Sequence, residues 1–224
     1  MGYQIALDGP AGAGKSTIAK LVAKELNFVY VDTGAMYRAI GLNCLENGVS
    51  IEDEEAVTDL TNNADVTIRY IDGEQAVLLN GRNVNGLIRT PEVGNAASAV
   101  SVYKGVRTKL VSLQQELTKT ENVIMDGRDI GSVVLPNADL KIYLDADVKV
   151  RAKRRYDELI AKGMDAELSV IEEEMKERDY RDMHRDNSPL VRVPEAVLVD
   201  SSYMTIDEVK DAICSKFKEV VKNA

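Results

Sequence analysis

Residues 9–16 read Gly-Pro-Ala-Gly-Ala-Gly-Lys-Ser, and this octapeptide limits the possible folds more than any other feature of the chain. It follows the apolar run Tyr3–Leu7, which predicts a buried strand, and it opens a predicted helix over Lys15–Leu26. Apolar residues recur in that helix at helical spacing: Ile18, Leu21, Val22 and Leu26. A strand, a glycine-rich turn and a helix in this order give the pattern G-x-x-x-x-G-K-[ST] the context that it requires, which argues against a chance glycine-rich turn.

The chemistry of this segment is that of a phosphate-binding loop. Glycines let consecutive backbone N–H groups approach phosphate oxygens, and the helix that follows adds the positive end of its dipole. Lys15 is expected to reach the β- and γ-phosphates of a nucleoside triphosphate, and the Ser16 hydroxyl is expected to bind Mg²⁺. The predicted ATP-binding residues are Gly9, Pro10, Ala11, Gly12, Ala13, Gly14, Lys15, Ser16 and Thr17.

The remainder of the chain alternates between strand and helix patterns. Predicted strands are Phe28–Val31, Val123–Met125, Leu140–Leu144 and Ala196–Val199, and predicted helices are 35–47, 52–63, most of 91–120, 148–162, 168–185 and a final helix from Ile206. Between them, residues 66–85 alternate apolar and polar side chains around Asp72-Gly73, which predicts a small antiparallel insertion. This order predicts an α/β fold of the P-loop NTPase type, with a parallel sheet flanked by helices.

A second group of polar residues, Asp126-Gly127-Arg128-Asp129, comes directly after a predicted core strand. Ligands of open α/β sheets lie at the carboxyl ends of the strands, so these side chains are candidates for a second substrate. Asp126 is expected to assist the metal, through water, and Arg128 to bind an acceptor phosphate. A solvated loop with an Arg–Asp pair is the alternative.

Arginines are concentrated in two predicted helices of an otherwise acidic chain. Arg178, Arg181, Asp182 and Arg185 share one helical face, and so do Arg151, Arg154 and Arg155. Arginine suits bidentate binding of phosphate, so both faces are candidate anion sites. Salt bridges to nearby glutamates at the surface are the alternative.

Composition excludes several classes of protein. The net charge is −9, which argues against extended nucleic-acid binding. No apolar run is long enough to span a bilayer. The two cysteines form no CxxC pair, and a cytoplasmic protein without membrane attachment is expected.

Several of these segments, in this order, resemble the bacterial cytidylate kinase family over nearly the whole chain. They are GPAGAGKST, VDTGAMYR, IRTPEVGNAAS, Val106-Arg107, DGRDIG, RAKRR and ERDYRDMHR. The first segment is common to many phosphate-binding loops, whereas DTGAMYR with DGRDIG and ERDxRD is much more specific. Thr33 stands where some members have serine, which keeps the hydroxyl.

The resemblance implies one kinase domain in three parts. These would be a core (1–32, 120–150 and 190–224), a nucleoside-monophosphate-binding region (33–119, with its insertion near 66–85) and a lid (151–189). It also implies transfer of the γ-phosphoryl group of ATP to CMP or dCMP, with Mg²⁺ bound with the ATP. Both substrates are small molecules, and a monomer is expected.

The resemblance also implies roles for particular side chains. Thr33, Arg107 and Asp129 would contact cytosine; Arg38 and Arg128 would hold the acceptor phosphate; Arg178 and Asp182 would hold the ribose; and Tyr37 would belong to the same CMP site. Arg155, Arg178 and Arg185 would lie near the transferring phosphoryl group. Together with the loop residue Lys15, Arg155 and Arg185 are the predicted catalytic residues, and Ser16 and Asp126 are the predicted metal-binding residues.

Two other functions stay open at this point. One is a P-loop kinase for another small acceptor, such as UMP, AMP, shikimate or a sugar acid. The other is a nucleotide-binding switch without turnover, against which the acceptor-side arginines argue.

Overall fold

The structure is a computed structural model that describes residues 2–71, 74–119 and 121–223. In chain order the elements are β1 (Gln4–Asp8), α1 (Lys15–Leu26), β2 (Val29–Asp32), α2 (Thr33–Glu46), α3 (Glu54–Asn63), β3 (Val66–Ile71), β4 (Glu74–Leu79), β5 (Arg82–Asn83), α4 (Pro91–Val100), α5 (Lys104–Glu116), β6 (Val123–Gly127), a π-helix (Ile130–Val134), β7 (Leu140–Asp145), α6 (Val148–Ala161), α7 (Leu168–His184), β8 (Val197–Asp200) and α8 (Ile206–Asn223). They form two compact units, the first from residues 1–30 and 121–224 and the second from residues 31–120.

The central sheet has the strand order β2-β6-β1-β7-β8, and its strands are parallel; β1, β6, β7 and β8 belong to the first unit. β2 spans the boundary between the two units. The predicted α/β fold with a parallel sheet flanked by helices is therefore confirmed. β1 lies in the middle, where its apolar residues from Ile5 to Leu7 are fully buried.

The register of β1 positions the candidate site. Asp8, the last residue of β1, lies beside Gly127 of β6 on one side and Tyr143 of β7 on the other. Because parallel strands end at the same edge of the sheet, the loop after β1 and the loop after β6 begin side by side.

The core of the first unit lies between this sheet and the helices α1 and α8. Ile18 and Val22 of α1 and Ile213 and Phe217 of α8 pack with the strand residues. Leu21 and Leu26, predicted on the apolar face of α1, are only half-buried, whereas the small Ala19 and Ala23 are buried. Small side chains let α1 lie close to its neighbours. Hydrophobic spacing alone does not reveal which side chains of the helix are the buried ones.

The second unit packs α2, α3, α4 and α5 with a separate three-stranded sheet, in the order β3-β4-β5. Its core includes Met36 and Ile40 of α2 and Leu110 of α5. Gly41 allows α2 to approach α4, since a Cβ atom there would lie 2.8 Å from the backbone nitrogen of Ala97. β3 and β4 pair antiparallel, with Val66 beside Leu79. The predicted Asp72-Gly73 turn lies outside the described residues.

Three details differ from the sequence prediction. The helical segment expected over 91–120 is two helices, with a break from Ser101 to Tyr103. The two-residue strand β5 and the π-helix after β6 were not predicted. Within residues 2–71, 74–119 and 121–223, no helix is both long and apolar enough to cross a membrane.

Candidate active site

The loop between β1 and α1 has the backbone conformation that its glycines allow. Gly9 has φ 149°, and a Cβ atom there would lie 2.0 Å from the carbonyl oxygen of Leu144, so only glycine fits. Gly14 has φ 89° and is the residue before the first turn of α1. Left-handed backbone at this point leaves the first N–H groups of α1 directed toward the loop, and such N–H groups at a helix N-terminus are suited to an anion.

Lys15 is folded back onto this loop. Its Nζ atom donates to the carbonyl oxygen of Pro10 at 2.7 Å, and the residue is 6% exposed. Burial lowers the pKa of Lys15, and the Arg128 charge lowers it further, while the carboxylates of Asp126, Asp182 and Asp8 oppose the shift. The surroundings therefore disfavour the charge on Lys15 until an additional anion is present, and the phosphates of a nucleotide are such an anion.

Ser16 and Asp126 lie beside Lys15 and bring two oxygen-bearing side chains together. The Ser16 hydroxyl donates to Asp126 Oδ2 at 2.8 Å, and the Tyr30 hydroxyl donates to Asp126 Oδ1 at 3.0 Å. A hydroxyl and a carboxylate are hard oxygen donors and fit Mg²⁺. The described part of the chain contains no group of three or more His, Cys, Asp or Glu residues that could hold a metal. A nucleotide-bound Mg²⁺ does not need such a group, because it keeps waters and takes phosphate oxygens as ligands.

Arg128 follows β6 and meets Asp182 of α7. Its Nε atom donates to Asp182 Oδ2 at 2.8 Å, and both side chains are largely buried. Burial alone raises the pKa of Asp182, but the charges of Arg128, Arg178 and Arg185 hold that pKa below its ordinary value. Four of the predicted site residues, Arg128, Arg178, Asp182 and Arg185, thus share one charged cluster at the end of β6 and in the last turns of α7.

Asp129 lies next to this cluster, beside Arg185. Arg185 Nη2 is 4.0 Å from Asp129 Oδ1, with both side chains almost fully buried. Arg185 comes directly after α7, and its Nε atom also donates to the carbonyl oxygen of Ser188 at 2.9 Å. The backbone carbonyl of Asp129 accepts the N–H groups of Val133 and Val134 in the π-helix. Asp129 is therefore fixed by its own backbone as well as by Arg185.

Asp8 completes this part of the site and was not predicted as a site residue. Its two carboxylate oxygens accept the N–H groups of Ile130 and Gly131, at 2.8 and 2.7 Å. Burial raises the pKa of Asp8 to about 6, although both of these hydrogen bonds and Lys15 act to lower it, while Asp129 raises it. An acid at the end of an apolar strand, directly before Gly9, is the only sequence signal for this role.

The raised pKa of Asp8 makes a prediction about stability. The folded protein binds this proton more tightly than the unfolded chain, so the stabilisation is complete below about pH 4 and is lost as the pH rises through about 6. Between about pH 5 and about pH 8 the protein is expected to lose about 1 kcal/mol of unfolding free energy through Asp8. Asp8→Asn lacks the titrating group and should not lose this contribution. Its unfolding free energy relative to that of wild type should therefore rise by about 1 kcal/mol between the two pH values. Urea denaturation of both proteins at both pH values measures this, and a difference that does not vary with pH would contradict it.

The three arginines predicted on one face of α6 have three different partners. Arg155 Nη1 donates to Glu158 Oε2 at 2.9 Å, within the same helix, and the Arg155 side chain is 36% exposed. Arg154 donates to the carbonyl oxygen of Ser201 at 2.6 Å, and Arg151 is buried against Asp179. On α7, Arg181 is exposed whereas Arg178 is half-buried. The structure therefore brings Arg178 and Arg185 to the cluster at Asp182 and pairs Arg155 with Glu158.

The second unit holds its own set of predicted residues at the start of α2. Asp32 caps the helix by accepting the Ala35 N–H at 2.9 Å, and its other oxygen pairs with Arg38 at 2.8 Å and with Arg89 at 3.2 Å. Thr33, the first residue of α2, is buried. The side chain of Asp32 thus forms the N-cap of α2. Arg89 was not predicted as a site residue.

Tyr37 and Arg107 lie together in the same unit. The guanidinium carbon of Arg107 is 5.5 Å from the centre of the Tyr37 ring, within the range of a cation–π contact. Arg107 Nη1 also donates to the carbonyl oxygen of Ser101 at 3.0 Å, and the residue is 4% exposed. The break between α4 and α5 thus supplies a backbone acceptor that orients Arg107.

Comparison with known proteins connects this geometry to one family. A model of the family described as cytidylate kinase matches residues 5–219. A cytidylate kinase of Caldicellulosiruptor bescii is 49% identical over 98% of this chain and 97% of its own length. A cytidylate kinase of Ligilactobacillus salivarius is 50% identical over 96% of each chain.

Solved structures of other kinases share the fold at much lower identity. A gluconokinase from Sinorhizobium meliloti is 12% identical over 99% of this chain and 94% of its own, with a TM-score of 0.52. A shikimate kinase from Bacteroides thetaiotaomicron is 12% identical over 96% of this chain and 98% of its own, with a TM-score of 0.50. At this identity the likeness describes the fold and leaves the acceptor of the phosphoryl group unspecified.

Proposed function

This chain belongs to the cytidylate kinase family, and we propose on that basis that it transfers the γ-phosphoryl group of ATP to CMP or dCMP, giving ADP and CDP or dCDP. The observation that carries the proposal is the buried cluster around the phosphate-binding loop. Lys15 shares its surroundings with Asp126, Arg128 and Asp182, so groups suited to ATP phosphates lie beside groups suited to a second anionic substrate.

The chemistry requires little from the protein beyond position and charge. The attacking group is a phosphate oxygen of CMP, which is already ionised at neutral pH, so no strong general base is needed. The only histidine, His184, is exposed, lies 2.8 Å from the carbonyl oxygen of Tyr180 through Nδ1, and has no role in the proposal. In-line placement of the two phosphates and cations around the developing charge account for the rate.

Kinases of this family use ATP with a divalent metal ion. We assign that ion as Mg²⁺ and propose that Ser16 binds it directly and Asp126 through water, because their oxygens suit a small, hard cation. When bound with ATP, the ion neutralises charge on the phosphates. Tyr30 keeps the Asp126 carboxylate in place through its hydroxyl.

The acceptor residues are assigned separately in each unit. In the first unit, Arg128 is proposed to hold the CMP phosphate, Arg178 and Asp182 the ribose, and Asp129 the cytosine. In the second unit, Arg38 is proposed to hold the phosphate, Thr33 and Arg107 to contact the base, and Tyr37 to support Arg107. The buried ion pairs of Arg38 with Asp32 and of Arg128 with Asp182 support the two phosphate assignments, because they keep each guanidinium oriented before the substrate arrives.

Lys15, Arg155 and Arg185 are proposed to act on the transferring phosphoryl group. Arg155 lies on α6 and Arg185 follows α7, so we propose residues 151–189 as a lid whose closure excludes water and limits loss of ATP to hydrolysis. A monomeric state and a cytoplasmic location stay predictions from the sequence.

An assay over a panel of acceptors tests the function. The protein is given ATP with CMP, dCMP, UMP, AMP, shikimate or gluconate, and ADP release is followed by a coupled assay, with ATP alone as the control. CMP and dCMP are expected to give the highest kcat/KM. A higher value for any other acceptor would contradict the proposed substrate. Tight ATP binding with no ADP release from any acceptor would favour the nucleotide-binding switch.

A further inference from the structure

Ala11, in the phosphate-binding loop, has both of its backbone polar groups held by side chains of α6 and α7. Its N–H donates to Asp179 Oδ1 at 3.3 Å, and its carbonyl oxygen accepts from Arg151 Nη1 at 2.8 Å. Arg151 and Asp179 are themselves paired, with Arg151 Nη1 2.7 Å from Asp179 Oδ2. One loop residue, one residue of α6 and one residue of α7 therefore form a closed ring of polar contacts.

This ion pair is buried, with the Arg151 side chain 6% and the Asp179 side chain 11% exposed. Arg151 Nε donates to the carbonyl oxygen of Ala146 at 2.8 Å, so the guanidinium is bonded on several sides. A buried ion pair is weak evidence for stability, because an apolar pair of similar volume often stabilises a fold as well or better. What an apolar pair cannot supply is a donor and an acceptor for the Ala11 peptide groups.

The neighbouring residue, Gly12, shows how closely the loop lies against the two helices. A Cβ atom there would be 3.0 Å from Met175 Cε and 3.4 Å from Arg151 Cβ. Met175 belongs to the apolar cluster that joins α7 to α6, with Ala152 and Ile171. The loop at Ala11 and Gly12 therefore lies close against both helices and is hydrogen-bonded to both.

The position of Asp179 on α7 gives this contact a consequence for the reaction. Asp182 follows it by about one helical turn, and Arg185 lies about one turn further, at the end of α7. We propose that Arg151 and Asp179 are positioning residues, which tie the backbone of Ala11 to α6 and α7 so that phosphate binding in the loop fixes the placement of α7. The inference rests on the proposed ATP-dependent function and adds to it a route from the ATP phosphates to Asp182 and Arg185.

Hydrogen–deuterium exchange with ATP alone tests this coupling. In the wild-type protein, ATP is expected to slow amide exchange in α7, around residues 175–184, as well as in the loop. The double variant Arg151→Met, Asp179→Leu replaces the ion pair by an apolar pair and leaves the Ala11 groups unheld. With ATP about tenfold above the dissociation constant of each protein, this variant is expected to keep the protection of the loop and to lose most of the ATP-dependent protection of α7. Its kcat with CMP is expected to fall by about 10–100-fold, because Arg185 is no longer placed.

A second ion pair on α7 supplies the matched control. Lys176 and Glu172 are 2.8 Å apart, one turn apart on the same helix, and their side chains are 47% and 22% exposed. The double variant Glu172→Leu, Lys176→Met should keep the ATP-dependent protection of α7. If the double variant of the buried pair does not fold, Asp179→Asn decides, since it keeps an acceptor oxygen without the charge and should lose part of the protection.

Two results would overturn the proposal: no ATP-dependent protection of α7 in the wild type, or full protection in the variants of the buried pair. Because the experiment uses ATP without CMP, it is independent of the acceptor. An error in the proposed acceptor would appear in the acceptor panel and would leave this exchange experiment interpretable.

Discussion

Lys15→Ala is expected to lower kcat by about 10²–10⁴-fold, because the variant lacks the positive charge that stabilises the ATP phosphates while the phosphoryl group is transferred. The fold should tolerate the change. Burial lowers the pKa of Lys15, so the native structure gains little from its charge, and its Nζ atom donates to the carbonyl oxygen of Pro10 at 2.7 Å. The dissociation constant for CMP should change little, because Lys15 is assigned to ATP.

Lys24→Ala is the matched control for this variant. Lys24 is in the last turn of α1, the helix that begins with Lys15, and it is exposed. It should leave kcat unchanged, and urea denaturation of both variants shows whether the fold is intact. A folded Lys15→Ala protein with near-normal kcat would remove Lys15 from the catalytic residues.

The sequence predicts well those parts of this protein whose information is local. α1 begins and ends as the sequence predicts, because the loop motif sets its start and Asn27, at φ 55°, terminates it in left-handed backbone. The parallel sheet follows from apolar runs that alternate with helices. For the same reason the loop after β6 could be identified as a candidate site: it comes at the end of a buried strand.

The π-helix after β6 could not be predicted, because what holds its start lies far away in the sequence. Its first two N–H groups are accepted by Asp8, 122 and 123 residues earlier. The partners of the arginines could not be predicted for the same reason, since they too are distant in the sequence. Arg128 pairs with Asp182, 54 residues later, and the sequence shows only that both charges exist. Spacing in a helix indicates which residues share a face, but pairing across elements depends on the tertiary fold.

Asp129→Ala is expected to lower kcat/KM for CMP by about 10²–10³-fold and to change the value for UMP much less. Cytosine presents an N4 amino group as a donor, and a carboxylate accepts from it, whereas uracil presents an oxygen at the same position. That oxygen would face the Asp129 carboxylate, and two buried acceptors would oppose each other. A site built on such bonds discriminates by more than the roughly 10–200-fold that a methylene group allows.

The ratio of kcat/KM for CMP to that for UMP is the quantity to measure. Asp129 also lies 4.0 Å from Arg185, so its removal disturbs a residue assigned to the transferring phosphoryl group. That disturbance should lower turnover for both nucleotides alike and cancel in the ratio.

Asp129→Asn separates the effects further: its amide can accept from the N4 amino group or, when rotated, donate to the uracil oxygen. It should therefore give an intermediate ratio with improved UMP turnover, while Asp186→Ala, an exposed acid directly after Arg185, should leave the ratio unchanged. If Asp129→Ala keeps the wild-type ratio, base selection lies elsewhere, and Thr33 and Arg107 are the residues to change next.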